Sequence, residues 1–138
     1  MAYYAVIDTN VMVSAFLTRH NDSATVKVML MVISGEIVPV YSNSILAEYK
    51  DVLSRSKFKI DDSAINMLIS GFQQFGILIE PTQRGEILTD MKDLPFYEVV
   101  LDIKNDNGYL ITGNLKHFPK KPFVVTASQF LEIVKSKK

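Results

Sequence analysis

Tyr3-Tyr4-Ala5-Val6-Ile7-Asp8-Thr9-Asn10-Val11 is the stretch whose reading decides the fold. Tyr3 to Ile7 is a short apolar run stopped by an acid, which predicts a buried strand with Asp8 at its carboxyl end. Thr9 and Asn10 are then expected to cap a helix through Val11 to Leu17. Working outward, Ser23 is placed to cap a second helix that stops at Gly35. Ile37 to Tyr41 is β-rich, and Pro39 within it predicts an edge or irregular strand. Ser42-Asn43-Ser44 opens a helix to about Arg55, and Asp61-Asp62 opens another that ends before Gly76. Ile77 to Ile79 is expected to be a strand and residues 82–94 a loop. Pro95 suits the start of a helix, Tyr109 to Thr112 and Phe123 to Val125 are strand-like, and Thr126 with Gln129 has capping-box spacing for a last helix. Strands alternating with helices predict an α/β chain whose mostly parallel sheet is covered on both faces. Ligands in such sheets bind beyond the carboxyl ends of the strands.

The 138 residues, 48% of them hydrophobic and 22% charged, are expected to form one domain over 1–138. There is no cysteine, which excludes disulfides, thiolate zinc sites and a cysteine nucleophile. His20 and His117 are the only histidines, too few for a multi-histidine metal site. No apolar run approaches a membrane span; the longest, Val28 to Ile33, is expected to be a core helix segment. No basic segment precedes an apolar one at the start, so a cytoplasmic protein is the expectation. Lys+Arg and Asp+Glu balance at 15 each, which argues against a protein that coats nucleic acid without specificity. The balance hides a division. Residues 80–106 carry seven acids against three bases, and residues 115–138 carry six lysines against Glu132 alone. A solvated surface with a lysine-rich tail would account for it; an acidic site beside a basic rim is the sharper reading, and it suits a phosphate-bearing substrate held through metal.

The candidate site residues lie where strands end or helices begin. Asp8 follows the first strand, and Asn10 is spaced to orient its carboxylate; a cap or turn role would account for either. Glu48 falls roughly 110° from the centre of the apolar face of its helix, at an edge where it points into a groove or pairs on the surface. Asp93 precedes a helix, where the dipole favours an acid in any case, and Glu98 lies in the first turns of that helix. Asn114 follows Leu110-Ile111-Thr112-Gly113, with Thr112 placed to support it; its ordinary role would be a turn. Carboxylates without histidine or cysteine suit Mg²⁺ or Mn²⁺, ions that activate water and clamp a phosphodiester oxygen.

Three segments, Val6-Ile7-Asp8-Thr9-Asn10-Val11, Ser44-Ile45-Leu46-Ala47-Glu48-Tyr49 and Tyr109-Leu110-Ile111-Thr112-Gly113-Asn114, resemble the PIN domain. Within that family the chain is similar to the small prokaryotic branch of toxin–antitoxin toxins (VapC-like), from about Tyr3 to the final helix. The resemblance implies a three-layer α/β/α sandwich with a mostly parallel central sheet. It also implies a Mg²⁺- or Mn²⁺-dependent endoribonuclease acting on single-stranded RNA. By motif, Asp8, Glu48 and Asp93 match metal-binding acids, and Glu98 falls where this branch often has a glutamate. Asn114 stands where many members have a fourth aspartate, and the loop before it, near Asn105-Asp106-Asn107, is slightly long. The lost charge keeps an alternative open, a weakened PIN-fold module that binds RNA or a partner protein without cutting. An antitoxin protein and a second copy of the chain are the implied protein partners, and the lysines toward the C-terminus are expected to contact flanking phosphates.

Overall fold

The computed structural model describes residues 2–137. Within these residues five strands, β1 (Tyr3–Ile7), β2 (Ile37–Tyr41), β3 (Ile77–Leu78), β4 (Gly108–Ile111) and β5 (Val124–Val125), form one sheet in the order β3-β2-β1-β4-β5. Every pairing is parallel, with Val6 opposite Leu110 and Ala5 opposite Pro39. Six helices cover it: α1 (Thr9–Leu17), α2 (Ala24–Ser34), α3 (Asn43–Leu53), α4 (Asp62–Phe75), α5 (Leu94–Ile103) and α6 (Ala127–Ser136). α1, α2 and α6 pack together, as do α3, α4 and α5. This is the α/β/α sandwich that the alternation of strands and helices predicts.

Local chemistry sets the element ends. The Ser23 hydroxyl accepts from the Val26 N–H to start α2, and Gly35, at φ 87°, ends it in the left-handed region that glycine enters without steric cost. Ser42 caps α3 and Asp61 caps α4. Thr126 and Gln129 exchange both bonds of a capping box at 3.1 and 2.9 Å. The 82–94 loop is broken near its end by a 3₁₀ turn over Met91–Asp93. Gly108 opens β4 where a Cβ would lie 2.3 Å from the Ile103 carbonyl oxygen, so only glycine lets β4 pass so close to the end of α5.

Three expectations change. Pro39 is not in an edge strand, because β2 lies between β3 and β1. β3 pairs only with Val40 and Tyr41, so no ladder bond to β3 needs the N–H that Pro39 lacks. Thr9 and Asn10 do not cap α1: Asp8 is the N-cap, without a side-chain bond, and both side chains bond elsewhere. Finally, the Val28 to Ile33 run is not all core. Only Val28 of α2 is buried, while Leu30 is 54% and Ile33 79% exposed. Among the described residues no helix is long and apolar enough to cross a membrane.

Candidate active site

The strand order reverses between β1 and β4: β2 and β3 extend to one side of β1, β4 and β5 to the other. In a doubly wound sheet the crevice at the carboxyl ends of such a pair is where ligands bind. β1 ends at Ile7, and the Asp8 N–H still bonds the Ile111 carbonyl of β4 at 2.9 Å. Asp8 and Thr112 therefore leave two neighbouring strands side by side at the switch point.

Asp8 is 5% exposed and Thr112 fully buried. The Thr112 hydroxyl donates to Asp8 Oδ2 at 2.8 Å and accepts the Asn114 N–H at 3.0 Å. The Asn10 amide donates to the same Asp8 oxygen at 3.3 Å, and its own oxygen accepts the Gly113 N–H at 3.0 Å. Asn10 thus ties the start of α1 to the end of β4. Beneath them the fully buried Tyr49 donates its hydroxyl to the Ile7 carbonyl at 2.5 Å, fixing the end of β1 against α3.

Glu48 stands one residue before Tyr49, half-buried at the edge of the face formed by Ile45, Leu46, Tyr49 and Leu53. Thr9 donates a hydrogen bond to its Oε2. Asp93, half-buried, is the N-cap of α5 but makes no cap bond. Its Oδ2 instead shares a hydrogen bond with His117 Nδ1 at 3.0 Å. Glu98 lies in the next turn of α5, half-buried, and no hydrogen bond or ion pair joins it to the other acids. Asn114 is exposed at the head of the 3₁₀ turn Leu115–His117. It lines a cavity of about 410 Å³ together with Asn10, Thr112, Ser14, Thr25 and Ser128.

The electrostatics join three of these acids. Burial pushes the Asp8 carboxyl up to about 6; the Thr112 hydroxyl pulls it down, and Asp93 and Glu48 push it further up. Glu48 is raised chiefly by burial, against the Thr9 bond, with Asp93 adding to the rise. Asp93 is raised chiefly by burial, against its bond and ion pairing with His117. Mutual repulsion is thus a secondary cause, and loss of water is the first.

No lysine or arginine stands within ion-pair distance of Asp8, Glu48 or Asp93 among the described residues. The donor set is all oxygen and carries surplus negative charge, which fits a hard divalent cation. Among the described residues, however, no group of three or more His, Cys, Asp or Glu side chains is arranged to hold a metal ion directly.

Two residues of this neighbourhood are absent from the sequence reading of the site. Thr9 adjoins Asp8 but reaches an acid 39 positions away. His117 is a lone histidine in sequence, and only the fold places it on Asp93. The one local signal is adjacency: Thr9 touches the first acid in sequence, and His117 follows Asn114 by a single turn.

A family model described as the PIN domain matches residues 4–116, well over half of the chain. No curated protein matches it significantly.

Proposed function

The chain belongs to the PIN domain family, whose members are typically nucleases, and on that premise we propose that it is a Mg²⁺- or Mn²⁺-dependent endoribonuclease cleaving single-stranded RNA. We propose further that it acts in the cytoplasm as one PIN-like domain over 1–138, the toxin of a toxin–antitoxin pair. The observation that carries the reading is Asp8: a buried carboxyl pushed up to about 6, beside two further acids, with no basic partner.

Asp8, Glu48 and Asp93 would hold the ion, partly through its waters. When bound it supplies a water of lowered pKa and a clamp on a phosphodiester oxygen. Thr112 and Asn10 hold Asp8 in one orientation, and Thr9 does so for Glu48. Asp93 or Glu98 is the acceptor for the proton of the attacking water. Incubating the purified protein with assorted RNAs, with and without Mn²⁺, tests this. Metal-dependent cleavage is the expected result, and intact RNA at every Mn²⁺ concentration would overturn it.

One observation favours a second reading, a PIN-fold module that binds RNA or a protein without cutting: an amide, Asn114, stands where many members of the resembled branch have an acid. Asn114→Asp separates the two. If activity is limited by metal occupancy, the variant binds Mn²⁺ more tightly and cleaves faster; a binding module gains metal affinity without cleavage. In either case the metal-free variant melts below the parent, because a further negative charge joins the pocket, and Mg²⁺ restores it. Identical melting curves for both proteins would remove Asn114 from the site.

Assembly as a homodimer is supported by α2 and α4. Ile33, Met67 and Phe75 are 79%, 76% and 70% exposed, and with Met29 and Leu68 they border a groove of about 510 Å³. An apolar patch of this kind marks an interaction surface, here assigned to a second copy of the chain. Sedimentation at micromolar concentration should give a dimer mass, and a monomer throughout would count against it. The other expected partner is an antitoxin protein, tested by co-purification with the product of the adjacent gene.

A further inference from the structure

We propose that the pocket between the 3₁₀ turn Leu115–His117 and β5 binds the phosphate backbone of a single-stranded RNA next to the scissile bond. The inference rests on the nuclease reading above and adds to it where the strand runs.

Lys116, Lys120 and Lys121 line a pocket of about 560 Å³ whose floor includes Phe118, Pro122 and Val124. All three lysines are exposed, and none is within ion-pair distance of a carboxylate among the described residues. Phe118 and Val124 are 7% and 6% exposed, so the floor is built into the core and does not move with the lysines. Rigid apolar surface beneath mobile cations is the arrangement that takes a base or sugar below and its phosphates above.

The pocket also stands in the right place. It begins at Leu115, directly after Asn114. At the end of that turn His117 is bonded to Asp93 at 3.0 Å, which ties the turn to the acids. A strand with a phosphodiester at Asp8, Glu48 and Asp93 that continues over this turn would meet Lys116 within it and Lys120 and Lys121 beyond it.

The charges require such a neighbour. The three acids repel a polyanion, and the chain as a whole has zero net charge, so no general field draws RNA in. Local positive charge beside the acids is what lowers the cost of approach. The lysine pocket supplies it on the side of the acids where His117 bonds Asp93.

The test measures binding of a short fluorescent oligouridylate, without divalent metal, as a function of salt. Three full-length proteins are compared: the parent, Lys120→Ala/Lys121→Ala, and Lys27→Ala/Lys57→Ala, which removes the same charge elsewhere. Each single-strand phosphate contact contributes about 0.7 to the slope of log affinity against log salt. The pocket variant should lose about 1.4 of that slope while the control keeps the parent value. In cleavage assays the pocket variant should show a raised KM with kcat unchanged. An unchanged slope in the pocket variant, an equal loss in both variants, or no RNA binding by the parent would overturn the proposal. A parent that binds through the pocket but never cleaves leaves the pocket standing and sinks the nuclease reading instead.

Discussion

Asp8→Asn should raise the melting temperature of the metal-free protein at pH 7 while abolishing its response to Mn²⁺ and its cleavage of RNA. The two effects have one cause. Asp8 titrates at about 6 in the folded chain against 3.8 when unperturbed, so folding disfavours its charged form. A raised carboxyl pKa costs stability above it: below about pH 4 both states are protonated and the cost is nil, and it grows until about pH 6 and stays constant beyond. A rise of that size corresponds to about 3 kcal/mol at full ionisation, of which the amide, itself imperfectly partnered, should recover about 1–3 kcal/mol. That is several degrees in a domain of this size. Near pH 4 the parent no longer bears the cost and the two proteins should melt alike. The same substitution removes the charge that a divalent ion would neutralise, so added Mn²⁺ should stabilise the parent by mass action and leave the variant unmoved. Melting curves at both pH values, with and without Mn²⁺, check the stability and the metal response, and an RNA cleavage assay with Mn²⁺ checks the activity. A variant that melts below the parent at pH 7, or still gains stability from Mn²⁺, would overturn the assignment of Asp8.

Thr112→Val keeps the shape of a fully buried side chain and removes one hydroxyl with two bonds. Its bond to Asp8 Oδ2 is the strongest influence holding that carboxyl down. Without it Asp8 should titrate above about 6, and protonation competes with metal. The variant should therefore bind Mn²⁺ about 10–100-fold more weakly at pH 7, the usual effect of losing an outer partner of a ligand. The defect should shrink as pH rises, which a simple packing fault would not do. The Asn114 N–H also loses its acceptor, so a stability loss of about 1–3 kcal/mol is expected. Mn²⁺ affinity measured across pH decides it: a midpoint identical to that of the parent would mean that Thr112 does not tune Asp8.

Much of the framework was legible because its signals are local. Ser23, Gly35, Thr126 with Gln129, and Asp61 are punctuation whose bonds reach four residues or fewer. The strands at Tyr3 and Tyr109 announced themselves as apolar runs, and their acid or amide followers marked the carboxyl edge. Pro39 misled, because a proline forbids a ladder bond only where a partner strand asks for one, and β3 is two residues long. The helix at Thr9 misled for a related reason: its first side chains find stronger partners than the cap, in Glu48 and Asp8.

The sequence by itself determined the alternation of strands and helices, their caps, and an acid at the end of the first strand. These depend on backbone dihedrals and burial periods within a few residues. Only the tertiary structure decided that β1 and β4 lie side by side, so that Thr112 meets Asp8 across 104 positions and His117 meets Asp93 across 24. Only it decided that Leu30 and Ile33 face outward although their helix reads as core. Strand order and layer packing set those pairings and exposures. They minimise the free energy of the whole chain, to which a local pattern of residues contributes but which it does not contain.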